Sequence, residues 1–217
     1  MADSVVPLSR FAVLVKKLGR EERCRAVLAA PGALREAFAR AEAKSLATNA
    51  TGPSATSDAD RAALAELEQD LAGAFLLSPE ATALDSMSSY EQLFELARTA
   101  FGRTALSLEP AQLAMLVFEV LPRKVMLEAE DAAPVVADLR LFYAFLGRVF
   151  ALPHAGACLE ILGEGAAEKL AEAIASGEHF TREKAILLEG TKAGFDMYTP
   201  EGIQAYVAFK KAQAGLN

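Results

Sequence analysis

Tryptophan is absent from the 217-residue sequence, and cysteine and histidine appear only twice each. With no Trp and four Tyr, a core must be packed from Leu, Val, Ala and the 12 Phe. Two cysteines, Cys24 and Cys158, are too few for a disulfide framework and fall on separate apolar helical patterns. A single bridge between them stays open from sequence, but reduced thiols in a cytosolic protein are the simpler expectation. Neither His154 nor His179 has a Cys, His or carboxylate at ligand spacing, so both read as surface residues and no metal ligand is assigned.

Other absences narrow the functional classes. There is no Walker loop, no G-x-G-x-x-G and no H-E-x-x-H. "GEG" at Gly163 to Gly165 brackets an acid that would repel phosphate, so it reads as a turn. Neither histidine has a neighbouring hydroxyl in sequence, so no Ser/Thr nucleophile with its base is visible. Cations flank Cys24 in "EERCRAV" and would lower a thiol pKa, yet Val27 and Leu28 on the same helix argue for a half-buried, inert side chain. The pairs Glu128/Asp131 and Glu168/Glu172 have helical spacing but lie on solvated faces. No catalytic residue and no cofactor are assigned.

Long apolar runs are missing too. Leu113 to Leu121 and Leu139 to Leu152 fall short of the roughly 20 residues that span a bilayer, and they carry Glu119, Arg140 and Arg148. The N-terminus lacks a basic start, an apolar stretch and a small-residue cleavage site, so the expected location is cytoplasmic. Nowhere do β-branched residues alternate for more than a few positions, which excludes a convincing strand.

What is present is helical patterning with legible punctuation. Phe11, Leu14, Val15 and Leu18 form one amphipathic stripe closed by Gly19, and short helices follow over Glu21 to Ala30 and Ala33 to Leu46. Starts are marked at Ser57-Asp58, Ser78-Pro79-Glu80, Ser88-Ser89-Tyr90-Glu91, Glu109-Pro110 and Thr199-Pro200-Glu201. Pro122 is expected to stop the helix carrying Leu113, Leu116, Val117 and Val120. A long helix places Val135, Leu139, Phe142, Leu146 and Val149 on one face before Pro153. The expected fold is an all-α, irregular bundle of roughly ten short helices. Residues 1–47 form a small basic helical segment, 48–57 a flexible loop or linker, and 58–217 the main bundle.

Net charge is −7, unevenly distributed. Residues 1–47 hold nine Lys/Arg against five Asp/Glu, whereas residues 48–110 hold three against ten. The basic end suits either nucleic acid, through Lys16, Lys17, Arg20 and Arg23, or the acidic middle of its own chain. No aromatic interleaving or recognition helix supports the first reading, and the second is the simpler. Arg123 and Lys124 follow Pro122, where cations suit the carbonyl end of one helix and Glu128, Glu130 and Asp131 suit the start of the next. That handover accounts for the pair, which is otherwise a candidate partner contact.

"LPRKV" (Leu121 to Val125), the acidic helix start after it, and "FLGRVFALP" (Phe145 to Pro153) resemble C-terminal domains of uncharacterised bacterial proteins. "AGFDMYTPEGIQAYVAFKKA" (Ala193 to Ala212) looks like the tail those proteins carry. The resemblance covers residues 113–212. Some of these proteins also carry SEC-C metal-binding or plasmid pRiA4b ORF-3-like segments, but this chain lacks the closely spaced cysteines of SEC-C, so no metal is carried over. The resemblance implies no activity. The expected function is a non-catalytic helical protein–protein interaction or assembly module, with a protein partner or a second copy. Nucleic-acid binding is the alternative, and an enzyme with a helical-bundle pocket the third.

Overall fold

Ala, Leu and Glu dominate the segments between the Pro and Gly punctuation, and those segments are helices. The structure is a computed structural model. It describes residues 15–16, 19–49, 58–84, 88–177, 180, 182–213 and 215. Among them every regular element is helical, so the protein is an all-α irregular bundle. Of the stripe over Phe11 to Leu18 only Val15, which is buried, is described, and most of the expected 48–57 linker lies outside the described residues.

The helices in chain order are α1 (Glu21–Ala29), α2 (Pro31–Asn49), α3 (Asp58–Leu76), α4 (Ser88–Phe101), α5 (Pro110–Met115), α6 (Leu121–Lys124), α7 (Ala132–Phe150), α8 (Ala155–Ile161), α9 (Ala166–Ser176), α10 (Arg182–Lys192) and α11 (Pro200–Gln213). Several starts match their signals. A capping box closes α5, with the Glu109 amide donating to Gln112 Oε1 at 3.0 Å. Gly102 takes a left-handed φ of 63° just past α4. Ser78-Pro79-Glu80 starts only a single 3₁₀ turn, Glu80–Ala83. There the Thr82 hydroxyl donates back to the Pro79 carbonyl, and Leu84 becomes extended and buried.

α7 is the axis of the molecule. Val135, Leu139, Phe142 and Leu146 are buried as their spacing requires, and so are Val136, Tyr143 and Phe145, so most of its circumference is covered. α2, α4, α8, α9 and the 80–83 turn pack around it. An aromatic cluster joins three helices, with Phe75 against Phe142, Tyr90 and Phe145 at centroid distances of 5.2, 5.3 and 5.4 Å. Among the described residues one apolar cluster runs from Val15 to Ile174 and takes Cys24, Leu34 and Phe38 together with Leu71 and Phe75. Helices on both sides of the 48–57 stretch therefore share one core.

Pro122 does not stop its helix. α5 runs on through a π-helical turn, Leu116–Val120, into α6, which ends two residues after the proline. In the wider turn the Leu121 amide donates five residues back to the Leu116 carbonyl. The step out of that register leaves the next amide without a natural partner, and a proline has none to leave unpaired.

Candidate interaction surface

The last two helices make a small unit of their own. α10 ends at Lys192, Gly194 with a φ of 87° turns the chain, and the Phe195 amide returns to the Gly190 carbonyl at 3.0 Å. Asp196 then folds the loop: its Oδ1 accepts the Tyr198 amide and its carbonyl accepts the Thr199 hydroxyl at 3.1 Å. Thr199 caps α11, accepting the Gly202 amide on its hydroxyl at 3.2 Å, with Pro200 in the first helical position. Between the helices Phe195 meets Phe209 at 5.2 Å and Tyr206 at 5.6 Å. Met197 is buried over Gly190, where a β-carbon would stand 2.2 Å from its sulfur. Lys210 Nζ pairs with Glu189 Oε1 at 2.6 Å across the outside.

This hairpin is joined to the body by a cation. Lys184, only 5% exposed, donates through Nζ to the Pro122 carbonyl and, at 2.5 Å, to the Val125 carbonyl at the end of α6. The same ammonium lies 4.3 Å from the centre of the Phe180 ring. Burial holds its pKa below the ordinary lysine value. The carbonyl end of α6 is thus served chiefly by a residue some 60 positions downstream. Arg123 and Lys124 stand exposed in the last turn of α6, beside this root, and form no hydrogen bond or ion pair among the described residues.

Away from the root the hairpin presents apolar side chains to solvent. Ile203 and Val207, one turn apart on α11, are 41% and 44% exposed, and Tyr198 is 73% exposed. Ile186 on α10 is exposed as well. None of the hairpin's described residues belongs to the main apolar cluster, which ends at Ile174. Sequence reasoning missed both Lys184 and this stripe. The signal was the lone Lys in "FTREKAILL", and an Ile–Val pair four apart on a short C-terminal helix whose only buried described residue is Tyr206.

The other candidate residues lie elsewhere. Lys16 is exposed, and Lys17 is outside the described residues. Arg20 donates to both oxygens of Glu66 at 2.9 Å and to Asp70 at 2.9 Å. Arg23 reaches Asp70 at 2.5 Å and Glu66 at 3.3 Å. Cys24, between them, is fully buried rather than half-buried, and burial followed by the nearby Asp70 charge pushes its thiol up to about 11 against the opposing Arg20 and Arg23. Burial likewise pushes Cys158 up to about 12. Both thiols are free, and neither is activated. His154 is half-buried rather than a surface residue, with Nε2 enclosed and unpaired; His179 lies outside the described residues. Among the described residues no three His, Cys, Asp or Glu side chains gather as a metal site, and no helix is long and apolar enough to cross a membrane.

Against protein-family models, curated proteins and solved structures, the chain finds no match.

Proposed function

We propose that this chain is a non-catalytic helical interaction module that meets a protein partner through its α10–α11 hairpin. The observation that carries the proposal is the exposed Ile203–Val207 stripe on an element that contributes nothing to the main apolar cluster. An isolated exposed Ile is ordinary, but an apolar stripe on a helix pair outside the main apolar cluster suits docking against a complementary groove. Arg123 and Lys124, exposed beside the root of the hairpin, supply a polar rim of the kind that surrounds such a contact. The resemblance of residues 113–212 belongs with this proposal, since its last stretch is the turn and second helix of the hairpin. The nucleic-acid reading has less support, because Arg20 and Arg23 are already answered by Glu66 and Asp70.

The test is Ile203→Glu with Val207→Glu in the full chain. Sedimentation velocity reports self-association, and cross-linking in cells of origin reports other protein partners. Complex formation is expected to weaken by about tenfold or more, as for loss of central apolar contacts, at an unchanged melting temperature. Complexes that persist in the double variant would sink the hairpin as the contact element. A wild-type chain that forms no complex by either method would sink the interaction function itself.

A further inference from the structure

Three features meet at one place outside the hairpin. On α2 the residues Arg35, Phe38 and Glu42 share a face, being three, four and seven positions apart. That face looks onto the 104–107 turn and the end of α7, and between them lies a cavity of about 190 Å³. Its apolar wall consists of Phe38, Leu106, Phe150 and Leu152, all buried.

Ala151 stands between two of those wall residues. Its φ and ψ of 46° and 46° make it the one non-glycine residue with positive φ among the described residues. A β-carbon is strained in this conformation, which nevertheless lets both Phe150 and Leu152 line the space.

Two of the lining residues carry charges of opposite sign. Glu42 Oε1 accepts the Thr104 amide at 2.6 Å and also the Ser107 hydroxyl. Its second oxygen accepts nothing among the described residues. Arg35, exposed and on the cavity lining, makes one long contact, from Nη1 to the Phe150 carbonyl at 3.5 Å, which leaves most of its donor fork unengaged by the protein. Arg35 and Glu42 do not pair with each other; seven residues separate them by about 10.5 Å along the helix axis.

Size and charge together restrict the ligand. An apolar cavity of about 150 Å³ takes benzene, whereas sites for drug-sized ligands run to roughly 300–1,000 Å³. A nucleotide or a large cofactor does not fit here. A ligand with one charge would engage only one of Arg35, which is exposed, and Glu42, which is half-buried, and charges on adjacent atoms would not span their separation.

We propose that this cavity binds a short ω-amino carboxylate. The carboxylate sits on the Arg35 guanidinium, whose fork matches its two oxygens. The ammonium sits on the second oxygen of Glu42, and the hydrocarbon chain lies along Phe38 and Leu152.

Calorimetric titration of the full chain tests this with 5-aminovalerate as the probe. Valerate, pentylamine and norvaline serve as controls lacking the ammonium, the carboxylate and the charge separation respectively. Saturable binding of 5-aminovalerate is expected, with each control at least tenfold weaker, a difference of about 1.4 kcal/mol. Arg35→Met should abolish it. Ala39→Phe, at an exposed position on the cavity lining, fills the space while keeping both charges and should abolish it too. Absence of binding at millimolar probe, controls that bind equally well, or undiminished binding in a folded Ala39→Phe variant would each overturn the assignment.

Discussion

At the scale of single residues, long cations reaching the carbonyl ends of other helices recur. Arg140 donates to the Leu162 carbonyl past the end of α8 at 2.8 Å, and Lys184 serves α6 in the same way. The last carbonyls of a helix have no partner of their own, so each such cation answers acceptors that would otherwise be buried unpaired. Lys184→Met keeps the volume and removes the donor. It should cost about 1–3 kcal/mol in denaturant unfolding and speed amide exchange in α10 while leaving α7 protected. Unchanged exchange in α10 would show that Lys184 is not what holds the hairpin. A second cation sets a pH dependence. Arg148 donates to both carboxylate oxygens of Glu80, at 2.5 and 2.8 Å, and this hydrogen bonding holds Glu80 below its ordinary value of 4.5. The unfolded chain binds that proton more readily, so the contribution is complete above pH 4.5 and is lost as pH falls through the folded value. Stability measured in urea should therefore drop less steeply in acid for Arg148→Met than for the parent chain. Identical profiles would remove Glu80 from the account.

Between helices, one close approach is made by a glycine. A β-carbon at Gly73 on α3 would stand 2.3 Å from the Cys24 sulfur of α1. Gly73→Ala should destabilise by about 1–3 kcal/mol through overpacking, despite its better helix propensity; thermal melting decides, and a stabilised variant would mean that α1 shifts freely. The elements were largely legible in sequence because their signals are local. Thr199-Pro200, Glu109-Pro110 and Gly102 each act within one turn, and the stripe on α7 repeats over 19 residues. Pro122 was misread for the opposite reason. Its meaning depends on a change of hydrogen-bond register in the turn before it, and nothing in "LVFEV" announces a π-helical turn. Ser78-Pro79 has a helix-starting signal, but burial of Leu84 leaves room for only one 3₁₀ turn.

Over the whole molecule, part of the uneven charge is answered within the chain. Arg20 and Arg23 meet Glu66 and Asp70 across 43 to 50 positions of sequence. Composition alone could not choose between this closure and an external phosphate, because both need the same residues. Little of the exposed stripe proposed as a contact was legible either, since an Ile or Val on a helical stripe reads as core until the fold leaves it exposed. The parent chain should pass through heparin unretained at about 50 mM salt. Glu66→Gln with Asp70→Asn should release Arg20 and Arg23 and produce salt-sensitive retention. Retention of the parent, abolished by replacing Lys16, Lys17, Arg20 and Arg23, would instead restore the nucleic-acid reading. The limit of the apolar cluster at Ile174 also fixes an order of events during synthesis. Translation adds about 5–20 residues per second, so the body has all of its described core residues seconds before the last turn of α11 is made. Until Lys184 is made and reaches the end of α6, those carbonyls lack the ammonium that serves them in the fold.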